Sequence, residues 1–249
     1  MTLLHGLVLF GSAAAAGVMN ALAGGGTLLT FPALLFVGVP AVQANATSTV
    51  ALLPGALASM AGYRREVRTH AAWLRTLFLP SLAGGAIGSL LLLRTPDATF
   101  AALAPWLVLF ATLLFAIQAA LGRKPGDAAP RISLLVASGA QLLVGIYGGF
   151  FGAGIGILML VILGFLGLTD IHAMNGLKNF FGFSINVVAA SLFIWHGKVL
   201  WPEALVMVAG ATLGGYGGAG FGRRIGKEKA RAAVVVIGLA MTALLFLQR

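Results

Sequence analysis

The sequence has no cysteine, which excludes disulfides and thiolate metal sites. Acidic residues are almost as scarce: six Asp and Glu in 249 residues. Charged residues make up 9% of the chain, against about 25% in a soluble domain. That is too little charge to coat the surface of a water-soluble fold. With 59% hydrophobic residues and a mean hydropathy of +1.00, the chain reads as a multi-span membrane protein without a sizeable soluble domain. The apolar runs are continuous rather than alternating, so a transmembrane β-barrel is excluded. The first run lacks a basic flank and a small-residue cleavage site, and reads as a retained span rather than a signal peptide.

Motifs for catalysis are also missing. There is no G-x-S-x-G and no H-E-x-x-H, and His5, His70, His172 and His196 are scattered at segment ends. The chain is therefore expected not to be an enzyme, and to hold neither a cofactor nor a metal. Glu66, Asp97, Asp127, Asp170, Glu203 and Glu228 all fall in or beside loops. No acid stands at membrane depth as an evident proton carrier.

The net charge of +10 would suit a nucleic-acid partner if it were spread over one face. Instead most of it lies in three clusters between apolar segments. These are Arg64, Arg65, Arg68 and Arg75; Arg123, Lys124 and Arg131; and Arg223, Arg224, Lys227, Lys229 and Arg231. Loops 62–75, 122–131 and 222–231 are therefore expected on the cytoplasmic side, by the positive-inside rule, with no nucleic-acid role.

A span needs roughly 20 apolar residues. Candidate segments are 5–37, 43–62, 73–93, 98–121, 132–166, 173–195, 203–222 and 231–248. The first and fifth are too long for one pass and are interrupted by glycine, at Gly24 to Gly26 and in "GGFFGAGIG" at Gly148 to Gly156. With the basic loops inside, each long segment must return to the side it started from. Each is thus a hairpin broken at its glycines, either re-entrant or two short spans. Both termini then lie outside. The expected fold is an all-α polytopic membrane protein of two inverted-topology repeats, each a glycine-broken hairpin plus three transmembrane helices. Residues 1–122 form the first repeat, 123–131 a cytoplasmic linker and 132–249 the second. A weak echo at a shift of about 130 residues agrees with this: "GGGTLLTFPALLFVGVP" against "GAGIGILMLVILGFLGLT", and "AVQANATSTV" against "DIHAMNGLKN". Inverted repeats with broken helices are the architecture of secondary transporters.

Irregular backbone at membrane depth is tolerated only beside protein or a water-filled cavity. Each break frees amides at the start of the following half-helix, near Thr27 and near Ile155. Helix N-termini carry partial positive charge and bind anions, and glycine lets a ligand come close. The candidate anion site therefore takes in Gly24, Gly25, Gly26 and Thr27 from the first break, with Gly152 and Gly154 from the second. Asn20 and Tyr147 precede the breaks. The next helix of each half adds polar groups: Asn45, Thr47, Ser48 and Thr49 in one, Asn175, Lys178 and Asn179 in the other. Asn175, Lys178, Asn179, Gly182 and Asn186 share one helical stripe. Lys178 is the one basic residue well inside an apolar segment. It either faces the site as a positive charge, or snorkels to lipid headgroups. The competing reading of the glycines is close helix packing. That reading is taken for Gly84 and Gly88, and for Gly210, Gly214, Gly218 and Gly222.

The stretch "NALAGGGTLLTFPALLFVGVPAVQANATST" and its echo "GIYGGFFGAGIGILMLVILGFLGLTDIHAMNGLKN" resemble the sulfite exporter TauE/SafE family of membrane transporters, also called DUF81 or TSUP. The resemblance runs over essentially the whole chain. It implies a multi-pass protein of the bacterial inner membrane that moves sulfite, thiosulfate, sulfoacetate or a similar organosulfonate. The chain departs from the family pattern in "AMNGLKNFF", where Lys178 and Asn179 replace small hydroxyl residues. The expected function is transport of such an anion by alternating access, with the lipid bilayer and a small anion as partners. A passive anion channel and a carrier of a non-sulfur organic anion are the alternatives. The anion is expected to move either together with a proton or without one.

Overall fold

The computed structural model describes residues 2–22, 25–62, 71–120, 132–225 and 227–247. These residues form ten α-helices, in chain order α1 (Leu3–Leu22), α2 (Thr27–Phe36), α3 (Ala41–Gly62), α4 (Ala71–Arg94) and α5 (Asp97–Ala120), then α6 (Leu134–Phe150), α7 (Ile155–Phe165), α8 (Ile171–Trp195), α9 (Trp201–Ile225) and α10 (Lys227–Leu247). No strand occurs among the described residues. The all-helical membrane fold expected from composition is thus present.

Four of the helices are long and apolar enough to cross a bilayer: Leu3–Asn20, Trp73–Arg94, Asp97–Ile117 and Ile171–Trp195. Their outward faces carry large exposed apolar side chains, as at Leu79, Trp106 and Trp195. In water such surface would drive aggregation; in lipid it is the natural exterior. Polar side chains are instead drawn inward, among them Asn45, Thr47, Ser48, Ser81, Ser89 and Gln141. Gln141 Nε2 donates to Ser81 Oγ at 2.8 Å, tying α6 to α4.

Both long apolar segments are interrupted at the glycines. The first divides into α1 and the 10-residue α2, the second into α6 and the 11-residue α7. At 1.5 Å per residue each second arm is roughly 15 Å long, half of a hydrocarbon core of about 30 Å. The arms are unequal, because α1 has 20 residues and α6 has 17.

Packing exchanges partners between the halves. The tightest pairs are α1 with α9 and α4 with α6, followed by α4 with α8, α5 with α10, and α3 with both α8 and α9. Close approach depends on bare α-carbons. A Cβ on Gly210 or Gly214 would run into the backbone of α1 at Phe10 and Ala14. One on Gly84 or Gly88 would meet the backbone of α6. These four glycines have the packing role expected of them. Gly218 and Gly222 lie in α9, but their surroundings fall outside the described residues.

Acidic residues at the segment ends cap helices. Asp97 Oδ1 accepts from the Val42 amide at 2.9 Å, and Asp170 Oδ1 from the His172 amide at 2.9 Å. Both satisfy an amide that lacks a partner within its helix.

Candidate functional site

Each break turns on glycine in the left-handed region, which L side chains rarely adopt. Gly25 has φ +90°, and Gly152 and Gly154 have φ +82° and +81°. The turn at Gly25 and the turn at Gly154 immediately precede α2 and α7. Gly24 lies outside the described residues.

A polar side chain six residues upstream staples each turn. Asn20 Oδ1 accepts from the Gly26 amide at 2.8 Å. Tyr147 Oη donates to the Ala153 carbonyl at 2.8 Å. An aromatic cluster backs both breaks from the other side: Phe31 of α2 meets Phe151 of the second break edge-on, with centroids 5.3 Å apart and planes at 90°. Phe100 packs on Phe31 at 6.1 Å and on Phe150 at 5.4 Å. Each such pair contributes about 0.5–1.5 kcal/mol beyond its area, so the two turns are held against one rigid core.

The two breaks share one cavity of about 150 Å³. A cavity of this size can take up a benzene-sized molecule. Gly25, Gly26 and Thr27 form one wall; Gly152, Gly154, Ile155 and Gly156 form the other. The first amides of a helix have no intrahelical acceptor, so these walls present main-chain donors from both half-helices. Leu28 and Ile157 donate back to Gly25 and Gly154 at 2.9 and 3.0 Å, which closes the first turn of each.

α8 supplies the side chains. Lys178, Asn179, Gly182 and Asn186 line the cavity along one stripe. Lys178 is the one ionisable residue among those lining it. Its stem crosses α7: a Cβ on Gly156 would lie 3.1 Å from Lys178 Cδ. Asn20 completes the polar set from α1. The arrangement combines two helix starts, one ammonium and three carboxamides, with no carboxylate among the lining residues. Such a set attracts a small anion and repels cations.

The remaining sequence-derived candidates do not line this cavity. Ser48 and Thr30 share a 2.6 Å hydrogen bond in the core. Thr47 Oγ1 accepts from the Leu200 amide at 3.1 Å, and Thr49 Oγ1 donates to the Asn45 carbonyl at 2.8 Å. Asn45 Nδ2 donates to the Phe150 carbonyl at 3.1 Å, so a residue of the first half satisfies the end of α6 in the second. Asn175 Nδ2 turns back to the Ile171 carbonyl at 2.8 Å. Tyr147 holds the second turn from behind.

Sequence reasoning missed Leu52, Gly55, Ala56 and Ser59 of α3, which line the cavity at i, i+3, i+4 and i+7. Two small residues four apart, at Gly55 and Ser59, were the available signal. Phe115 of α5 closes the floor, and a Cβ on Gly25 would strike its ring.

Replacing Asn20 with Asp tests the polar wall. Aspartate keeps the oxygen that accepts from Gly26, so folding is expected to survive. It also places a negative charge on the cavity, and anion affinity is expected to fall at least about tenfold, by loss of roughly 1.4 kcal/mol. Isothermal titration of purified wild type and variant reads the difference.

Comparison with known proteins gives a consistent set of relatives. The family model described as "Sulfite exporter TauE/SafE" matches residues 9–245. A "Probable membrane transporter protein" of Haemophilus influenzae is 33% identical over 243 residues, covering 95% of this chain and 92% of that protein. "Probable membrane transporter protein ORF9" of a Sinorhizobium species is 29% identical over 236 residues, covering 94% and 89%. "Probable membrane transporter protein YfcA" of Escherichia coli is 29% identical over 247 residues, covering 95% and 87%. No solved structure matches.

Proposed function

Since the chain belongs to the sulfite exporter TauE/SafE family of membrane transporters, we propose that its cargo is a small sulfur-containing anion bound between the two glycine breaks. It moves that anion across the bacterial inner membrane by alternating access. The observation that carries this reading is the shared cavity: a half-helix start from each half of the chain, with Lys178 beside them. Amides and an ammonium form a site for an oxyanion such as sulfite, thiosulfate or a sulfonate.

Alternating access is supported by how the halves are built. Each offers a hairpin with a half-length second arm, and each packs its helices mainly on the other half. Two repeats of inverted topology, related in this way, can rock about a fixed midplane site. The basic loops then face the cytoplasm and both termini face outward. Lys178 is the group on the cavity able to exchange a proton, so any proton coupling would run through it.

A thermal-shift panel on purified protein tests the substrate class. Sulfite, thiosulfate, sulfoacetate and sulfate are compared with taurine, simple carboxylates and chloride at equal ionic strength. A ligand at 100 times its Kd stabilises by about 2.7 kcal/mol. Sulfur oxyanions are expected to raise Tm, and chloride to leave it unchanged. No shift with any sulfur anion, or an equal shift with chloride, would contradict the reading.

A further inference from the structure

The cavity is lopsided with respect to the two halves of the chain. α3 and α8 begin at residues 41 and 171, α4 and α9 at 71 and 201, and α5 and α10 at 97 and 227, each pair 130 residues apart. Packing follows the same exchange. The pair α1 with α9 answers to α6 with α4, and α3 with α9 to α8 with α4, while α3 with α8 and α5 with α10 are their own counterparts. Residues 130 apart in α3 and α8 therefore hold equivalent places.

Leu52 with Gly182, and Ala56 with Asn186, are two such pairs, and all four residues line the cavity. On either side of that shared level the equivalence fails. Lys178 and Asn179 line the cavity, whereas their counterparts Ser48 and Thr49 do not. Gly55 and Ser59 line it, whereas Ile185 and Ala189 do not. Ser48, Ile185 and Ala189 are buried among other helices, and Thr49 is half-buried. In inverted repeats the start of α8 and the end of α3 lie toward the same face of the membrane. The cavity extends from the shared level toward that face alone. Burial along α3 agrees: residues 44–48 are all buried, and none from 52 to 60 is.

The opposite side is plugged. Phe31, Phe100 and Phe151 are buried there, and Asn45 Nδ2 bridges the two halves to the Phe150 carbonyl at 3.1 Å. Its counterpart Asn175 bonds within its own helix, to the Ile171 carbonyl at 2.8 Å. Asn45 Oδ1 is buried with no hydrogen-bond partner among the described residues. A half-paired buried carboxamide is costly, so the bridge is poised to release.

We propose that this is the inward-facing state, and that the outward-facing state exchanges the roles of the two halves. There Ser48, Thr49, Ile185 and Ala189 line the site, and Gly55, Ser59, Lys178 and Asn179 pack away. Asn45 is the latch that opens between them. This rests on the inverted repeats and alternating access proposed above, and it names the residues of the second state. The polar start of α3 packs in one state and meets the anion in the other.

The chain has no cysteine, so a single introduced thiol reports on each position. The experiment follows labelling of Ser59→Cys, Thr49→Cys and Ala189→Cys by trimethylammonioethyl methanethiosulfonate, in right-side-out and inside-out vesicles with glutathione inside. The reagent is a cation, so an anion carrier does not take it through. Each variant is compared with and without Asn45→Ala. Ser59→Cys is expected to react fast from the cytoplasmic face. Thr49→Cys and Ala189→Cys are expected to react slowly, and only from the outer face. Asn45→Ala is expected to speed those two about tenfold, the worth of one hydrogen bond, and to leave Ser59→Cys no faster. Thr49→Cys and Ala189→Cys that react from the cytoplasmic face, or not at all even with Asn45→Ala, would overturn the proposal. So would Asn45→Ala that speeds all three sites, because the fold would then be loosened rather than unlatched. Ser59→Cys that reacts equally from both faces would make the path a channel and end alternating access with it. A thermal shift with sulfite alongside any of these failures leaves the anion site standing; the expected labelling without such a shift ends the anion site alone.

Discussion

Leucine at Gly154 is expected to abolish transport while the protein still accumulates in the membrane. Gly154 turns the chain with φ +81° just before α7. A side chain there costs about 1–2 kcal/mol in the left-handed region, which a protein stable by 5–15 kcal/mol can absorb. Its Cβ would lie 3.4 Å from Leu114 Cδ1 and 3.6 Å from Ala111 Cα, ordinary contact distances. The bulk beyond Cβ is what displaces the start of α7 from the cavity. Two lost amide contacts to an anion, at about 1.5 kcal/mol each, amount to a loss of about 100-fold in affinity. Gly25→Leu is the harsher change. Its Cβ would fall on the Phe115 ring, which is 1% exposed and fixed in the core. That variant is expected to lose both transport and folded protein. Uptake of labelled substrate into vesicles, normalised to protein in the membrane, separates the two cases. Undiminished uptake by Gly154→Leu would count against a main-chain site.

Lys178→Met is expected to weaken anion binding by about 10- to 100-fold, from the roughly 1.5–3 kcal/mol of a hydrogen bond to a charged group. Methionine retains an unbranched stem to lie over Gly156, so the contact between α8 and α7 persists while the ammonium is lost. Lys178→Arg retains the charge and is expected to keep a larger part of the affinity. Titration of the three proteins with sulfite gives the order wild type, then arginine, then methionine. Equal affinity in all three would assign Lys178 to the lipid headgroups instead.

The glycine breaks were legible because glycine is costly inside a helix, and because the length of each apolar run allowed only a hairpin. Gly25, Gly26, Thr27, Gly152 and Gly154 accordingly line one cavity, together with Asn20, Lys178 and Asn179. The unequal arms were not legible. Nothing in "NALAGGGTLLTFPALLF" fixes how far each arm extends, because lipid accepts apolar residues on every face. For the same reason the sequence does not separate the half of α3 that packs on other helices from the half that lines the cavity. Its N-terminal run of Asn45, Thr47 and Ser48 looked like a binding surface, yet those side chains satisfy Phe150, Leu200 and Thr30 across helix contacts. Its quieter second half, with Gly55 and Ser59, lines the cavity. A buried polar residue in a membrane helix serves a neighbouring helix as readily as a ligand, and only the packing decides between them.

The most direct measurement is a crystal of the protein grown with selenate, a heavy stand-in for a sulfur oxyanion, and read by its anomalous scattering. The account predicts one strong selenium peak within hydrogen-bonding distance of the main-chain amides at residues 27 and 154–156, near Lys178 Nζ. A fully occupied peak elsewhere, with the space between the two breaks empty, would contradict it.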